Sequence, residues 1–100
     1  MRNEWDGVGV MSGTSLDGID LAWCHFTRKE EGGWGYRIEK AVTVPYSETM
    51  RNRLAGAQSL SALEYVTLNN DVAECFAEAL NSWLGEGARP DFIASHGHTV

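Results

Sequence analysis

Gly9-Val-Met-Ser-Gly-Thr-Ser-Leu-Asp-Gly-Ile-Asp20 is the stretch on which the reading of this chain turns. Its pattern predicts a short strand, a tight polar turn and a second strand. Ser12, Gly13, Thr14, Ser15 and Gly18 crowd the turn, and such small side chains leave backbone N–H groups open to close approach by an anion, phosphate above all. Ser12, Thr14 and Ser15 add hydroxyl donors, while Asp17 and Asp20 suit a metal ion or a ligand hydroxyl. No Gly-Lys-Ser/Thr follows the glycines and the segment beyond has strand character, so this is not the phosphate loop that opens a helix. A hairpin-type phosphate cradle and an ordinary turn rich in Gly and Ser both fit this composition.

Working outward, Val8 and Val10 alternate with Gly7, Gly9 and Met11, the period-2 pattern of a half-buried strand with a glycine face. After the turn, Ile19, Leu21 and Trp23 share one face and Ala22, Cys24 and Phe26 the other, which places the second strand centrally in a sheet. A charged, glycine-ended connection, Arg28-Lys-Glu-Glu-Gly-Gly33, leads to Trp34, Tyr36, Ile38, Val42 and Val44 alternating with Arg37, Glu39 and Thr43. That predicts a hairpin whose third strand stops at Pro45. Trp34 and Tyr36 read as ordinary sheet packing and not as a stacking platform, because no basic groove accompanies them.

Ser47 caps a predicted helix running to about Ala55, with Gly56 as its stop. Ser61 and Glu64 have capping-box spacing. The run Leu60, Leu63, Val66, Leu68, Val72, Phe76, Leu80, Trp83 keeps close to a helical period and reads as a core stripe, ending near Leu84 with Gly85 behind it. Asn69 and Asn70 cost this helix about half a kcal/mol each, and a solvent face explains them more simply than contact with a substrate does. Asp91-Phe-Ile-Ala-Ser95 is a short apolar strand returning parallel to the first. His96-Gly-His-Thr99 begins where that strand would finish, at the end of the sheet where α/β domains bind ligands. The elements therefore run β-β-β-α-α-β around a mixed sheet.

With 100 residues the chain makes at most one small domain. Its net charge of −6 and lack of a basic stripe exclude a general nucleic-acid surface or an acidic-membrane surface. A nucleotide has to be held locally, by amides, hydroxyls and a divalent cation. Arg51 and Arg53 read as a solvated helix face. Cys24 and Cys75 lack metal-type spacing and an export signal accompanies neither, so reduced thiols serving as small core residues are expected. His96 and His98 have no identifiable third ligand, which leaves no metal site predicted. No apolar run reaches the roughly 20 residues of a membrane span.

Met11-Ser-Gly-Thr-Ser-Leu-Asp-Gly-Ile-Asp20, preceded by Gly9-Val10, closely resembles the N-terminal signature of the anhydro-N-acetylmuramic acid kinases. Ala94-Ser-His-Gly-His-Thr-Val100 resembles the same family's Ser/Cys-His-Gly-Gln-Thr-Val segment, with His98 where the usual pattern has Gln. The resemblance implies a fold of the actin-like ATPase superfamily, here the N-terminal part of a first ribonuclease-H-like lobe, with the second lobe absent from this chain. It implies ATP and Mg²⁺ as cofactors, bound at Gly13, Thr14, Ser15, Leu16, Asp17, Gly18, Ile19 and Asp20. It implies an amino sugar positioned by His96, Gly97, His98 and Thr99. Where an acidic residue often precedes the glycine turn in the wider superfamily, Met11 stands here, which leaves the metal-associated carboxylate to Asp17 or to residues outside this chain.

The implied activity is opening of the 1,6-anhydro ring: water attacks the anomeric carbon with help from a carboxylate base while O6 accepts the γ-phosphoryl group of ATP. The product is N-acetylmuramic acid 6-phosphate, a cell-wall recycling intermediate, made in the cytoplasm by an enzyme that can be a homodimer. The family's catalytic aspartate lies later than these residues, so no catalytic residue is expected in this chain. The contrasting expectation is a non-catalytic nucleotide- or protein-binding module that completes itself by association. Under either, a four-stranded sheet would leave an unpaired edge and an exposed face.

Overall fold

The computed structural model describes residues 2–13, 15–87, 89–98 and 100. Three strands, β1 (Glu4–Ser12), β2 (Gly18–Arg28) and β3 (Trp34–Pro45), form an antiparallel meander. Two helices, α1 (Glu48–Ala55) and α2 (Ala62–Leu84), follow with a single 3₁₀ turn between them, and β4 (Phe92–His98) returns parallel to β1. The strand order is β3-β2-β1-β4, so the fold is α/β with a four-stranded mixed sheet. Among the described residues neither β3 nor β4 has a partner on its outer edge. No helix among them is long and apolar enough to cross a membrane.

Pairing register decides which side chains meet. Val8 lies opposite Trp23, Val10 opposite Leu21 and Ser12 opposite Ile19, and cross-strand pairs share a face. Val8, Val10, Ile19 and Leu21 are almost wholly buried and pack with Leu54, Leu68, Val72, Ala79 and Leu84 from the helices. Both helices therefore serve one face of the sheet. The other face carries Gly9, Met11, Ala22, Cys24, Phe26, Tyr36 and Ile38.

The helix boundaries follow their caps. Ser47 Oγ accepts the Met50 N–H at 3.1 Å, and Gly56 closes α1. Ser61 Oγ accepts the Glu64 N–H while Glu64 Oε1 accepts the Ser61 N–H, both at 3.2 Å, a complete capping box that holds the Glu64 carboxyl below its ordinary pKa. Of the predicted stripe, Leu68, Val72, Phe76, Leu80 and Trp83 face the core, but Leu63 and Val66 are exposed. The start of α2 turns Tyr65, Leu68 and Asn69 toward β4, and at about 100° per residue Leu63 and Val66 fall off that face. Asn69 and Asn70 are both exposed, and Asn69 opens onto the space between α2 and β4.

Three corrections concern surface residues. Arg53 is half-buried and pairs with Asp71 at 2.9 Å, tying α1 to α2, so it is more than a solvated charge. Trp34 packs against Trp5 with ring centroids 5.4 Å apart, yet Trp34 and Tyr36 stay 58% and 73% exposed because no helix covers their face. Cys24 and Cys75 are free thiols but only half-buried, and burial pushes the Cys75 thiol up.

At the end of the sheet away from the glycine turn, polar pairs fix the entry of β4. The Asp91 N–H donates to the Asp6 carbonyl at 2.8 Å, and the Asp6 N–H donates to Asp91 Oδ2 at 2.7 Å. Arg2 pairs with Asp91, and together these contacts hold the Asp91 carboxyl below its ordinary value. His25 sits across the strand, 2.8 Å from Asp6 through Nδ1 and 3.2 Å from Glu4 through Nε2. Both carboxylates favour the charged ring, which raises its pKa above 6.5.

A raised folded-state pKa contributes stability that is complete below the unfolded value and is lost as pH rises through the folded one. Denaturation midpoints of the protein and of His25→Gln, compared over this range, should therefore converge as pH rises. A gap that widens with pH would contradict the pairing.

Candidate active site

Because β1 and β4 are parallel, their C-terminal ends lie side by side, and that pairing determines what can meet there. The Gly-Ser turn leaves the end of β1, and the histidine segment forms the end of β4. β4 runs further than the sequence predicts. His96, Gly97 and His98 are strand residues and not the start of a loop. The register shifts between Val10, opposite Ser95, and Met11, opposite Gly97, leaving His96 as an extra residue. Gly97 has φ 79°, a left-handed conformation that suits glycine and accommodates such a bulge.

The bulge separates the two histidines. His96 is exposed, whereas His98 is half-buried opposite Ser12. Among the described residues no three His, Cys, Asp or Glu side chains gather closely enough to hold a metal ion. Thr99 lies outside the described residues, as does Thr14 in the turn.

Within the turn, the Leu16 N–H donates to the Gly13 carbonyl at 3.2 Å. Leu16 has φ 61°, the left-handed region that a branched side chain enters at a cost of about 1–2 kcal/mol. Its side chain packs on the edge of the core, which offsets that cost and anchors the turn from inside. Ser15 and Asp17 are exposed on the rim and Gly13 is half-buried. Gly18 is buried against β3, where a Cβ would collide with the Val44 carbonyl, and Ile19 belongs to the core. Asp20 is on the open face, where Thr43 Oγ1 donates to its Oδ1 at 2.5 Å. Of the residues 13–20, then, Ser15 and Asp17 present side chains to solvent at the turn, while Leu16, Gly18 and Ile19 build it.

Ser12 departs from its expected place among the turn hydroxyls. It is 2% exposed, and its Oγ accepts the Tyr46 O–H at 2.5 Å and lies 2.7 Å from His98 Nδ1. Burial raises the Tyr46 pKa above 10.0, with the Ser12 hydrogen bond acting against it. Tyr46 is the residue that the motif reading passed over, and for Ser12 it missed the inward orientation. The signal for Ser12 was present, since it continues the inward series Val8, Val10. Tyr46, the first residue past Pro45, gave none.

His98 also faces a cleft of about 190 Å³ between α2 and β4. Leu54, Leu68 and Phe76 form its apolar wall; Tyr65, Asn69, Ser95 and His98 add polar groups. The site thus has two compartments joined at the Ser12–His98 hydrogen bond: a turn with Ser15 and Asp17 on its exposed rim and a partly apolar cleft.

Fold and site together define the class: an α/β domain whose two polar motifs converge where a parallel pair of strands ends. The family model described as anhydro-N-acetylmuramic acid kinase matches residues 6–100. Relatives bearing that description include one from Pseudoalteromonas translucida (strain TAC 125), 39% identical over 102 residues covering 93% of this chain and 25% of the relative. Another, from Bacillus cereus (strain G9842), is 40% identical over 102 residues, covering 93% and 26%. A third, from Rhodospirillum rubrum, is 35% identical over 98 residues, covering 93% and 25%. The chain belongs to the anhydro-N-acetylmuramic acid kinase family. It spans about a quarter of the length of these relatives.

Proposed function

We propose that this chain forms the N-terminal part of the first lobe of a cytoplasmic, ATP-dependent sugar kinase that opens the anhydro ring of anhydro-N-acetylmuramic acid and phosphorylates O6. The observation that carries this reading is the meeting of the two family motifs at Ser12 and His98. The strand order, an antiparallel β1–β3 meander followed by a parallel β4, supports a partial ribonuclease-H-like lobe.

The donor set fits a nucleotide phosphate accompanied by a cation. Residues 13–20 contain no Lys or Arg, so a phosphate there depends on backbone N–H groups and on the exposed Ser15 hydroxyl. The Asp17 carboxylate, exposed at the rim, would hold hydrated Mg²⁺. When bound, Mg²⁺ offsets the negative charge on the phosphates. The cleft beside His98, with Asn69 and Ser95, is assigned to the sugar. The base that activates water belongs to sequence beyond these residues.

The test is to incubate the gene product carrying this chain with anhydro-N-acetylmuramic acid, ATP and Mg²⁺ and to follow N-acetylmuramic acid 6-phosphate by mass spectrometry. Product formation that requires ATP is expected, and Asp17→Asn should weaken Mg-nucleotide affinity about tenfold, on the order of one lost charge-assisted contact. Unchanged nucleotide affinity would remove Asp17 from the metal site. The exposed Trp34, Tyr36 and Ile38 favour a second reading, a self-associating module. A protein that associates through this face and forms no product would support that one instead.

A further inference from the structure

The buried hydroxyls beside His98 have only a few hydrogens to distribute, and the distribution determines which ring nitrogen carries the proton. Tyr46 is 5% exposed and Ser12 2% exposed. Among the described residues, Tyr46 O–H has Ser12 Oγ as its partner, and Ser12 Oγ has Tyr46 and His98 Nδ1. A buried hydroxyl hydrogen without an acceptor has given up its bond to water and gained none in return.

Three arrangements are possible. If Nδ1–H donated to Ser12 while Tyr46 also donated to it, the Ser12 hydrogen would be buried without an acceptor. If Nδ1–H donated to Ser12 and Ser12 donated to Tyr46, the phenol hydrogen would be stranded instead. Only the sequence Tyr46 O–H to Ser12 Oγ, then Ser12 O–H to His98 Nδ1, uses every hydrogen. Burial of Tyr46, which keeps its phenol protonated, reinforces this direction. Nδ1 is thereby an acceptor, and in the neutral ring the proton lies on Nε2.

We propose that Tyr46 and Ser12 are positioning residues that lock His98 in the Nε2–H tautomer, making it an obligate hydrogen-bond donor to an oxygen of the ligand in the cleft beside α2. Nε2 has no partner among the described residues, and the ring is part of the cleft wall with Asn69 and Ser95. A Gln side chain at this position offers both a donor and an acceptor. His98, once locked, offers a donor alone, so it selects for an acceptor oxygen such as a sugar hydroxyl or carbonyl. The tautomer follows from this chain's own residues; naming the ligand as the amino sugar rests on the kinase reading.

The experiment is nitrogen-15 NMR of the His98 ring in the gene product carrying this chain, at about pH 8, above the ordinary histidine range. It is paired with steady-state kinetics of Ser12→Ala and Tyr46→Phe. We expect an unprotonated Nδ1 and a protonated Nε2 in the unliganded protein, with the Nε2 resonance moving when anhydro-N-acetylmuramic acid is added. Ser12→Ala should mix the tautomers and raise KM for the sugar about tenfold with KM for ATP unchanged; Tyr46→Phe should do so less strongly, since Ser12 keeps its hydroxyl.

An Nδ1–H ring would overturn the proposal even in an active kinase. So would a Ser12→Ala protein whose ring stays locked, or whose KM values for sugar and ATP rise together. A locked ring that does not respond to the sugar would overturn the ligand assignment. A locked ring in a protein that forms no sugar phosphate would leave the tautomer standing and defeat the kinase reading. Should Ser12→Ala fail to fold, the wild-type tautomer and its response to sugar decide the matter alone.

Discussion

Replacing Leu21 by alanine should destabilise the protein by about 3 kcal/mol, within the range for emptying a fully buried leucine site. Leu21 is 1% exposed and sits on β2, flanked by Val10 on β1 and Val42 on β3, with the helices above it. Its cost combines lost apolar transfer with a cavity that two hydrogen-bonded neighbouring strands cannot easily collapse. Chemical denaturation provides the check. A change below about 1 kcal/mol would mean that the helices do not seat on this face of the sheet, since Leu21 would then have little to lose.

Gly18→Ala should be comparably damaging, at about 3 kcal/mol, for a different reason. Gly18 opens β2 directly after the turn, and a Cβ there would be driven into the Val44 carbonyl and lie 3.0 Å from the Pro45 Cα. Those are backbone atoms of β3, which cannot rotate away as a side chain could. Relief requires either β3 to separate from β2 or the turn to shift. Because the turn is the assigned phosphate site, loss of ATP affinity should accompany the loss of stability. Nucleotide titration of the variant distinguishes the outcomes. Intact ATP affinity in a destabilised protein would mean that β3 moved and the turn did not. A stable variant would contradict the close strand approach itself.

Much of this fold is readable from the chain because its signals are local. The period-2 series through Val8 and Val10, and through Ile19, Leu21 and Trp23, marks strands with a buried face. Ser47, Gly56, Ser61 with Glu64, and Gly85 mark helix ends through side-chain and backbone chemistry that operates within a few residues.

What was missed depends on tertiary placement. Leu63 and Val66 read as part of the stripe but are exposed, because α2 turns Tyr65, Leu68 and Asn69 toward β4 instead. The bulge at His96 arises from pairing with β1 and the left-handed Gly97, so the segment alone could not disclose that β4 continues through His98. Lys40 gives a similar lesson. Its ammonium lies 5.6 Å from the Trp23 ring and 5.0 Å from the Trp83 ring, joining β3 to the end of α2 across a long sequence separation.

The candidate site divides along the same line. Residues 13–20 announce themselves by composition and by the family signature, and the nearness of the histidine segment follows from the parallel β1–β4 pair. The roles within the stretch do not. That Leu16 anchors the turn, that Ser12 turns inward and that Tyr46 reaches it from beyond Pro45 are facts of packing. The polar chain they form is absent from any local pattern, because its members lie on β1, β4 and the segment that leaves β3.

The central claim is that the turn holds the phosphates of ATP and the His98 cleft holds the sugar. Amide hydrogen exchange, resolved by peptide in the gene product carrying this chain, tests it most directly. Mg-ATP alone should slow exchange across residues 13–20, and anhydro-N-acetylmuramic acid alone should slow it around His96, His98 and Asn69. Protection of the cleft by ATP with none at the turn, in a protein that demonstrably binds the nucleotide, would contradict the assignment.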